Sequence, residues 1–181
     1  MELLTTGLHF TAGWAFWSLS HYVGHRWWHD DMKKGKQTFY AHGERQHHRL
    51  YDGDDRAFMR SEDPQELFIS FPYKHVATVA VIPVALYGWL VGWLPAAAFG
   101  VAMYGSMTFD HQLHRLFHRR DSLPGLLGRL REMHRVHHAT HTANFFFVSG
   151  FVWDLLMRTV VFPPQAVAQA QSPVRPAPPV A

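Results

Sequence analysis

The chain has 181 residues, 15 histidines, no cysteine and a formal net charge of +3 at neutral pH. The absence of cysteine excludes disulfides, iron–sulfur clusters, thiolate zinc sites and cysteine nucleophiles, so any metal must be held by nitrogen and oxygen. The net charge is modest and no zinc finger or RNA-binding motif is present, which argues against nucleic acid as a partner. The length predicts one domain, over residues 1–162.

The N-terminal segment begins with an apolar run, residues 3–20, that is long enough for a first helix. This run leads directly into "HYVGHRWWH", where His21, His25 and His29 follow each other at intervals of four residues. Residues four apart lie on one face of a helix. The first helix is therefore expected to end in a row of imidazoles.

A second feature is the stretch of residues 76–109, which contains no charged residue. It is too long for one membrane span of about 20 residues, and Gly92 and Pro95 offer a break near its centre. The pattern predicts a helical hairpin in the membrane, with Trp89 and Trp93 near the far interface. The alternative is a soluble all-helical protein in which the hairpin forms the buried core.

Charge placement predicts the orientation of this hairpin. Its tip carries no basic residue, whereas lysines and arginines accompany the histidine groups on both sides of it. Because basic residues favour the cytoplasmic side, we expect the histidine groups at the cytoplasmic face of a membrane, in bacteria the inner membrane.

Three further histidine groups follow, and two of them have the spacing of three or four residues that places side chains on one helix face. Neutral imidazoles crowded on one face gain little from each other, but a metal ion turns the crowding into stabilisation. These groups are His47 and His48 in "HGERQHH", His111, His114 and His118 in "DHQLHRLFH", and His134, His137 and His138 in "HRVHH".

The C-terminal residues 163–181 are rich in proline, alanine and glutamine and contain no aromatic residue. Such a composition buries too little apolar surface to offset the entropy of ordering. It predicts a disordered tail without chemistry.

The order of these groups resembles the fatty acid hydroxylase/sterol desaturase superfamily of integral-membrane di-iron enzymes, from about Ser20 to Val160. "HRWWH", "QHHRLYDGDD", "HRLFH" and "HRVHH" look like its four histidine boxes, and "NFFFVSGFVWDLLMRT" is similar to its closing Asn and Trp-Asp segment. The resemblance implies an all-α fold. An N-terminal helix and the central hairpin would lie in the membrane, below a cytoplasmic helical cap with a dinuclear metal site.

The resemblance also implies the metal ligands. Two iron ions would take about five ligands each and leave room for dioxygen as co-substrate, and zinc can replace iron. The implied ligands are His25, His29, His47, His48, His114, His118, His134, His137 and His138.

The second box departs from the usual pattern of a histidine, two other residues and a histidine pair. The position three residues before His47 is Glu44, and His42 lies five residues before it. On a regular helix Glu44 shares the face of the histidine pair, which favours it as a tenth ligand. A distorted helix would bring His42 in instead, and Glu44 would then be an ordinary surface residue.

Other polar residues near the boxes are expected to hold the ligands in place through hydrogen bonds, or to bind metal themselves. His21 and His111 lie one turn before a box, Asp110 and Asp154 can orient an imidazole or cap a helix, and Asn144 can touch the site through water. The full set is His21, His42, His111, His141, Asn144, Asp110 and Asp154.

The implied function is O2-dependent hydroxylation of an unactivated C–H bond in a lipid or other hydrophobic substrate. The chain has no flavin, haem or iron–sulfur motif, so an external ferredoxin- or cytochrome-type donor must supply electrons. Within the same superfamily the alternatives are a carotenoid hydroxylase and a lipid desaturase. Outside it they are a zinc hydrolase, disfavoured because ten ligands leave little open coordination, and a non-enzymatic membrane metal or haem carrier.

Overall fold

The computed structural model describes residues 2–36, 38, 45, 47–48, 80–118, 123–145 and 151–162. Across these ranges the chain is helical, with no strand, as the all-α expectation requires. The helices are α1 (Glu2–Lys33), α2 (Val81–Val91), α3 (Trp93–Phe117), α4 (Gly125–Thr140) and α5 (Phe151–Leu156). The predicted tail, residues 163–181, lies outside the described part.

Helix α1 includes both the apolar run and the first histidine group. It ends at Lys33, whose positive charge suits the negative end of the helix dipole. Gly35 follows with a φ of +70°, a left-handed conformation that glycine adopts without strain. The Lys36 ammonium then pairs with the Asp31 carboxylate at 2.9 Å and ties the chain back to the last turn.

Helices α1 and α3 pack closely where Gly13 faces Phe99. A Cβ atom at position 13 would overlap the Phe99 carbonyl, so only glycine allows this approach. Further along, the Trp17 indole N–H donates to the Asp110 carboxylate at 2.9 Å. Between these contacts Phe99 and Met103 are buried in an apolar core. This packing aligns α1 with α3 so that their C-terminal ends lie together.

Helices α2 and α3 form the expected hairpin, and the break lies at Gly92, whose φ is +97°. The arms pack through small residues: a Cβ atom on Gly100 would lie 3.4 Å from Val84. Trp89 and Trp93, at the tip, are 80% and 70% exposed. No helix in the described part of the chain is both long enough and apolar enough to cross a membrane. Membrane embedding therefore stays a prediction.

Helices α4 and α5 complete the arrangement around the C-terminal ends of α1 and α3. Phe117 at the end of α3 is fully buried and packs in a cluster with leucines of α4 and the segment before it. Helix α5 is held on α1 by the Trp153 indole N–H, which donates to the Ser18 hydroxyl at 2.8 Å. The histidine-bearing parts of three helices thus meet in one place.

Candidate metal centre

Nine histidines form two adjacent clusters, and they are the nine that the sequence resemblance implies as ligands. Within each cluster, one ring nitrogen from each histidine lies within 4.8 Å of the corresponding nitrogen of every other member. The five-histidine cluster consists of His47, His114, His118, His134 and His138. The four-histidine cluster consists of His25, His29, His48 and His137.

Two pairs of histidines that are adjacent in the sequence contribute one member to each cluster. His47 and His48 belong to different clusters, and so do His137 and His138. Neighbouring residues on a helix point about 100° apart, so each pair reaches two centres at once. The rings of His48 and His138 lie 4.4 Å apart between centroids, which places the two clusters side by side.

The Nε2 atoms of the five-histidine cluster converge closely. His118 Nε2 lies 3.0 Å from His114 Nε2 and 2.9 Å from His134 Nε2. His114 Nε2 also lies 3.1 Å from His47 Nε2, and His134 Nε2 lies 3.1 Å from His138 Nε2. One imidazole nitrogen carries either one proton or one lone pair, so it cannot serve two such neighbours by hydrogen bonding.

A metal ion accounts for this convergence. With metal–nitrogen bonds of about 2.1 Å, ligands at right angles lie about 3.0 Å apart and tetrahedral ligands about 3.4 Å apart. The distances of 2.9–3.1 Å in the five-histidine cluster match the right-angle case. The donor set therefore fits one metal ion with five or six ligands.

The four-histidine cluster is buried throughout. His29 at its centre is 0% exposed, and neither of its ring nitrogens has a hydrogen-bond partner among the described residues. A buried polar group without a partner costs about 1–3 kcal/mol. Its ring centroid lies 4.6 Å from that of His48 and 4.8 Å from that of His137. A metal ion bound between these rings would supply the missing partner.

Two members of this cluster have a fixed tautomer. His25 Nδ1 lies 2.8 Å from the Phe145 carbonyl oxygen, and His137 Nδ1 lies 2.9 Å from the Ala143 carbonyl oxygen. A carbonyl oxygen only accepts, so Nδ1 must carry the proton in both rings. Nε2 is therefore the nitrogen that carries the lone pair in each ring, and a lone pair is what a metal ligand needs.

The electrostatic environment keeps the imidazoles neutral. Burial, and then repulsion from neighbouring histidines, lowers the pKa of His134 and His138 well below the ordinary value of 6.5. The same two causes lower the pKa of His29. Neutral imidazole is the form that binds metal, so the folded chain presents these ligands ready for binding at neutral pH.

The match to known families agrees with this geometry. The fatty acid hydroxylase family model matches residues 10–159. The chain belongs to the fatty acid hydroxylase family. Members of this family are typically oxygenases, which agrees with histidine clusters suited to hold metal. No curated protein and no solved structure matches the chain.

Three further histidines of this fatty acid hydroxylase family member lie beside the clusters. His21 stacks between Trp17 and His25, with centroid distances of 5.4 and 5.5 Å. His111 is half-buried, and burial followed by the charge of Arg115 lowers its pKa to about 4. His141 follows the last residue of α4 as its C-cap, with a φ of +56°. Its ring centroid lies 4.4 Å from that of His48.

The predicted carboxylates and Asn144 make hydrogen bonds to an indole, a backbone N–H and backbone carbonyls. Asp110 accepts the indole N–H of Trp17. Asp154 is 0% exposed, and its carboxylate accepts the backbone N–H of Phe145 at 3.0 Å. Asn144 is also 0% exposed, and its side chain bonds to backbone groups. The candidates Glu44 and His42 lie outside the described residues.

Sequence reasoning missed the carbonyl groups of Ala143 and Phe145, which orient two of the candidate ligands. Every residue carries a carbonyl, so no residue type signals this role. It also missed Thr159, whose hydroxyl donates to the Asp154 carboxylate at 2.6 Å. A threonine five residues after a buried aspartate is too common a pattern to indicate such a contact.

Proposed function

We propose that the chain is an O2-dependent hydroxylase that holds two iron ions and oxidises an unactivated C–H bond of a lipid or other hydrophobic substrate. The observation that carries the proposal is the convergence of nine histidines, from four separate segments, into two adjacent metal-sized clusters. Membership of the fatty acid hydroxylase family supports the reaction class.

In this proposal the iron ions supply the chemistry of dioxygen reduction and C–H oxidation. The histidines hold and orient those ions. A ring nitrogen that binds an ion would have no lone pair left with which to act as a base. Seven of the nine are buried and only His47 and His114 are half-buried, so the protein shields most of the centre from bulk water.

We propose a lipid substrate and a membrane location because of the apolar surface at the hairpin tip. Trp89, Leu90, Trp93 and Leu94 are between 70% and 84% exposed. An exposed group of large apolar side chains at one end of a molecule is typical of a membrane or protein contact. Tryptophans in particular favour the interface of a bilayer. In this proposal the histidine clusters face the cytoplasm.

We propose that another protein supplies the electrons. The chain contains no cysteine for an iron–sulfur cluster and no glycine-rich dinucleotide loop. A ferredoxin- or cytochrome-type donor is the partner that we propose. A metal carrier is a poorer explanation, because a carrier must release its ion and buried ligands at helical spacing favour retention.

The experiment that tests this function compares lipid extracts of cells that express the wild type, His137→Ala or His9→Gln, grown under isotopically heavy dioxygen. His137 belongs to the four-histidine cluster, whereas His9 bonds to Tyr87 at the other end of α1. We expect the wild type and His9→Gln to yield a lipid that has gained one labelled oxygen atom. His137→Ala should yield none.

Two other outcomes would change the assignment. A lipid that lacks two hydrogens and carries no label would mean desaturation. Iron-loaded protein that leaves every lipid unchanged, with an electron donor supplied, would refute the oxidative function.

A further inference from the structure

The 143–145 stretch, between α4 and α5, provides two carbonyl groups to the four-histidine cluster. His25 reaches the Phe145 carbonyl from α1, and His137 reaches the Ala143 carbonyl from α4. The stretch is not part of a helix, so helical hydrogen bonds do not fix these carbonyls. Something else must hold them at 2.8 and 2.9 Å from the rings.

Asn144 fixes the middle of the stretch. Its amide nitrogen donates to the carbonyls of Met133 at 3.0 Å and Val161 at 2.9 Å, and its amide oxygen accepts the Val161 N–H at 2.9 Å. Its backbone N–H donates to the Thr159 carbonyl at 2.9 Å. Its φ is +52°, and asparagine tolerates this left-handed conformation better than most residues.

Asp154 fixes the end of the stretch. One of its carboxylate oxygens, Oδ1, accepts both the Phe145 N–H at 3.0 Å and the Thr159 hydroxyl at 2.6 Å. Because the Thr159 hydroxyl donates its proton to Asp154, it accepts from the Tyr22 hydroxyl, 3.1 Å away. Tyr22 is on α1, one turn before His25. The network therefore connects the stretch to the helix that carries the ligand.

We propose that Asn144 and Asp154 are positioning residues that act on the four-histidine cluster through backbone carbonyls. They hold the Ala143 and Phe145 carbonyls where His137 and His25 donate their Nδ1 protons, and so aim both Nε2 atoms at one metal ion. We call this arrangement the carbonyl clamp. The inference rests on the proposed function, because it requires that this cluster binds metal.

The two carbonyls of the clamp contact rings of a single cluster. Both rings that it orients belong to the four-histidine cluster. None of the hydrogen bonds described for Asn144 and Asp154 reaches a member of the five-histidine cluster. Loss of these hydrogen bonds should therefore weaken the binding of one metal ion and leave the binding of the other unchanged. If Asn144 and Asp154 only stabilised the fold, the binding of both ions would weaken.

The main test replaces the Asp154 carboxylate and measures metal retention. We expect the wild type to hold two iron or zinc ions per chain and folded Asp154→Ala to hold about one. The weakened ion should be removed by a chelator about 10–100-fold more readily, as is usual when the hydrogen-bond partner of a ligand is lost. Asp154→Asn keeps an acceptor oxygen and should retain both ions. Tyr87→Phe, which loses an interhelical hydrogen bond to His9, is the control and should also retain both.

Double variants identify which ion is lost. Asp154→Ala combined with His29→Ala should lose no more metal than either single variant, because both act on one cluster. Asp154→Ala combined with His114→Ala should lose both ions. Equal retention in Asp154→Ala and wild type overturns the clamp, and so does loss of both ions in the single variant with an unchanged helical spectrum.

A second approach does not need Asp154→Ala to fold. Nitrogen NMR of the metal-free wild type should show His25 and His137 protonated at Nδ1, and the opposite tautomer would overturn the clamp. Asn144→Asp, which turns two donated bonds into repulsive contacts, should lose the same single ion. A wild type that binds no metal would instead refute the proposed function, which separates the two failures.

Discussion

The imidazole rings of His48 and His138 lie 4.4 Å apart although they belong to different clusters. They form the boundary between the two centres, and each is adjacent in the chain to a residue of the other cluster. A dinuclear site built in this way depends on the side-by-side placement of α4 and the short helical segment that carries His47 and His48. The two ligand sets share no residue. Loss of the metal ion from one cluster should for this reason have only a small effect on metal binding by the other.

The first prediction concerns this independence. His29→Ala removes the fully buried member of the four-histidine cluster, and His118→Ala removes one member of the five-histidine cluster. We expect each variant to retain about one ion per chain where the wild type retains two. Elemental analysis after gel filtration measures this. A wild type with a single ion, or a variant that still holds two, would contradict the dinuclear site.

Much of this architecture could be predicted from the sequence. The break at Gly92 could be predicted because glycine adopts the positive φ that ends a helix. The nine clustered histidines could be predicted from the family resemblance, and helical spacing explains why several of them share a helix face. The continuation of α1 through the first histidine group also follows from its spacing. The hydrogen bonds that Asn144 and Asp154 make with backbone groups could not be predicted, because they depend on how α5 packs on α1.

The second prediction concerns the acid stability of the metal-free protein. The pKa of His134 in the folded state is well below 6.5, and other cluster histidines are shifted in the same direction. Below 6.5 the unfolded chain therefore binds more protons than the folded chain, and stability falls as the pH falls. Each histidine that stays neutral contributes at most about 1.4 kcal/mol per pH unit.

Urea unfolding of the metal-free protein measures this effect. The free energy of unfolding should be nearly constant from about pH 8 to about pH 7 and should fall steeply towards about pH 5. His134→Asn should reduce the slope by about one histidine's share. A slope near zero in the acidic range would mean that the cluster imidazoles are accessible to protons in the folded state.

The third prediction concerns the placement of the hairpin in a membrane. An accessibility tag inserted at Gly92, between α2 and α3, should report the opposite side from a tag after Ala181. A tag inserted at Gly35, just after α1, should report the same side as the tag after Ala181, because Gly35 and the last described segment, residues 151–162, follow helices that lie at the histidine clusters. If the protein remains in solution without detergent, the membrane proposal is wrong and the exposed Trp89 and Trp93 need another partner.

The fourth prediction concerns the tenth ligand. Glu44 lies three residues before His47 and four before His48, so on a regular helix it shares a face with ligands of both clusters. The four-histidine cluster has one ligand fewer, and a carboxylate there would add negative charge to a neutral set and favour the higher oxidation states of iron. Glu44→Gln keeps the shape but loses the charge, so we expect weaker metal retention and little activity, whereas His42→Gln should be mild. If His42→Gln loses metal and Glu44→Gln keeps it, the helix is broken between them and His42 is the ligand.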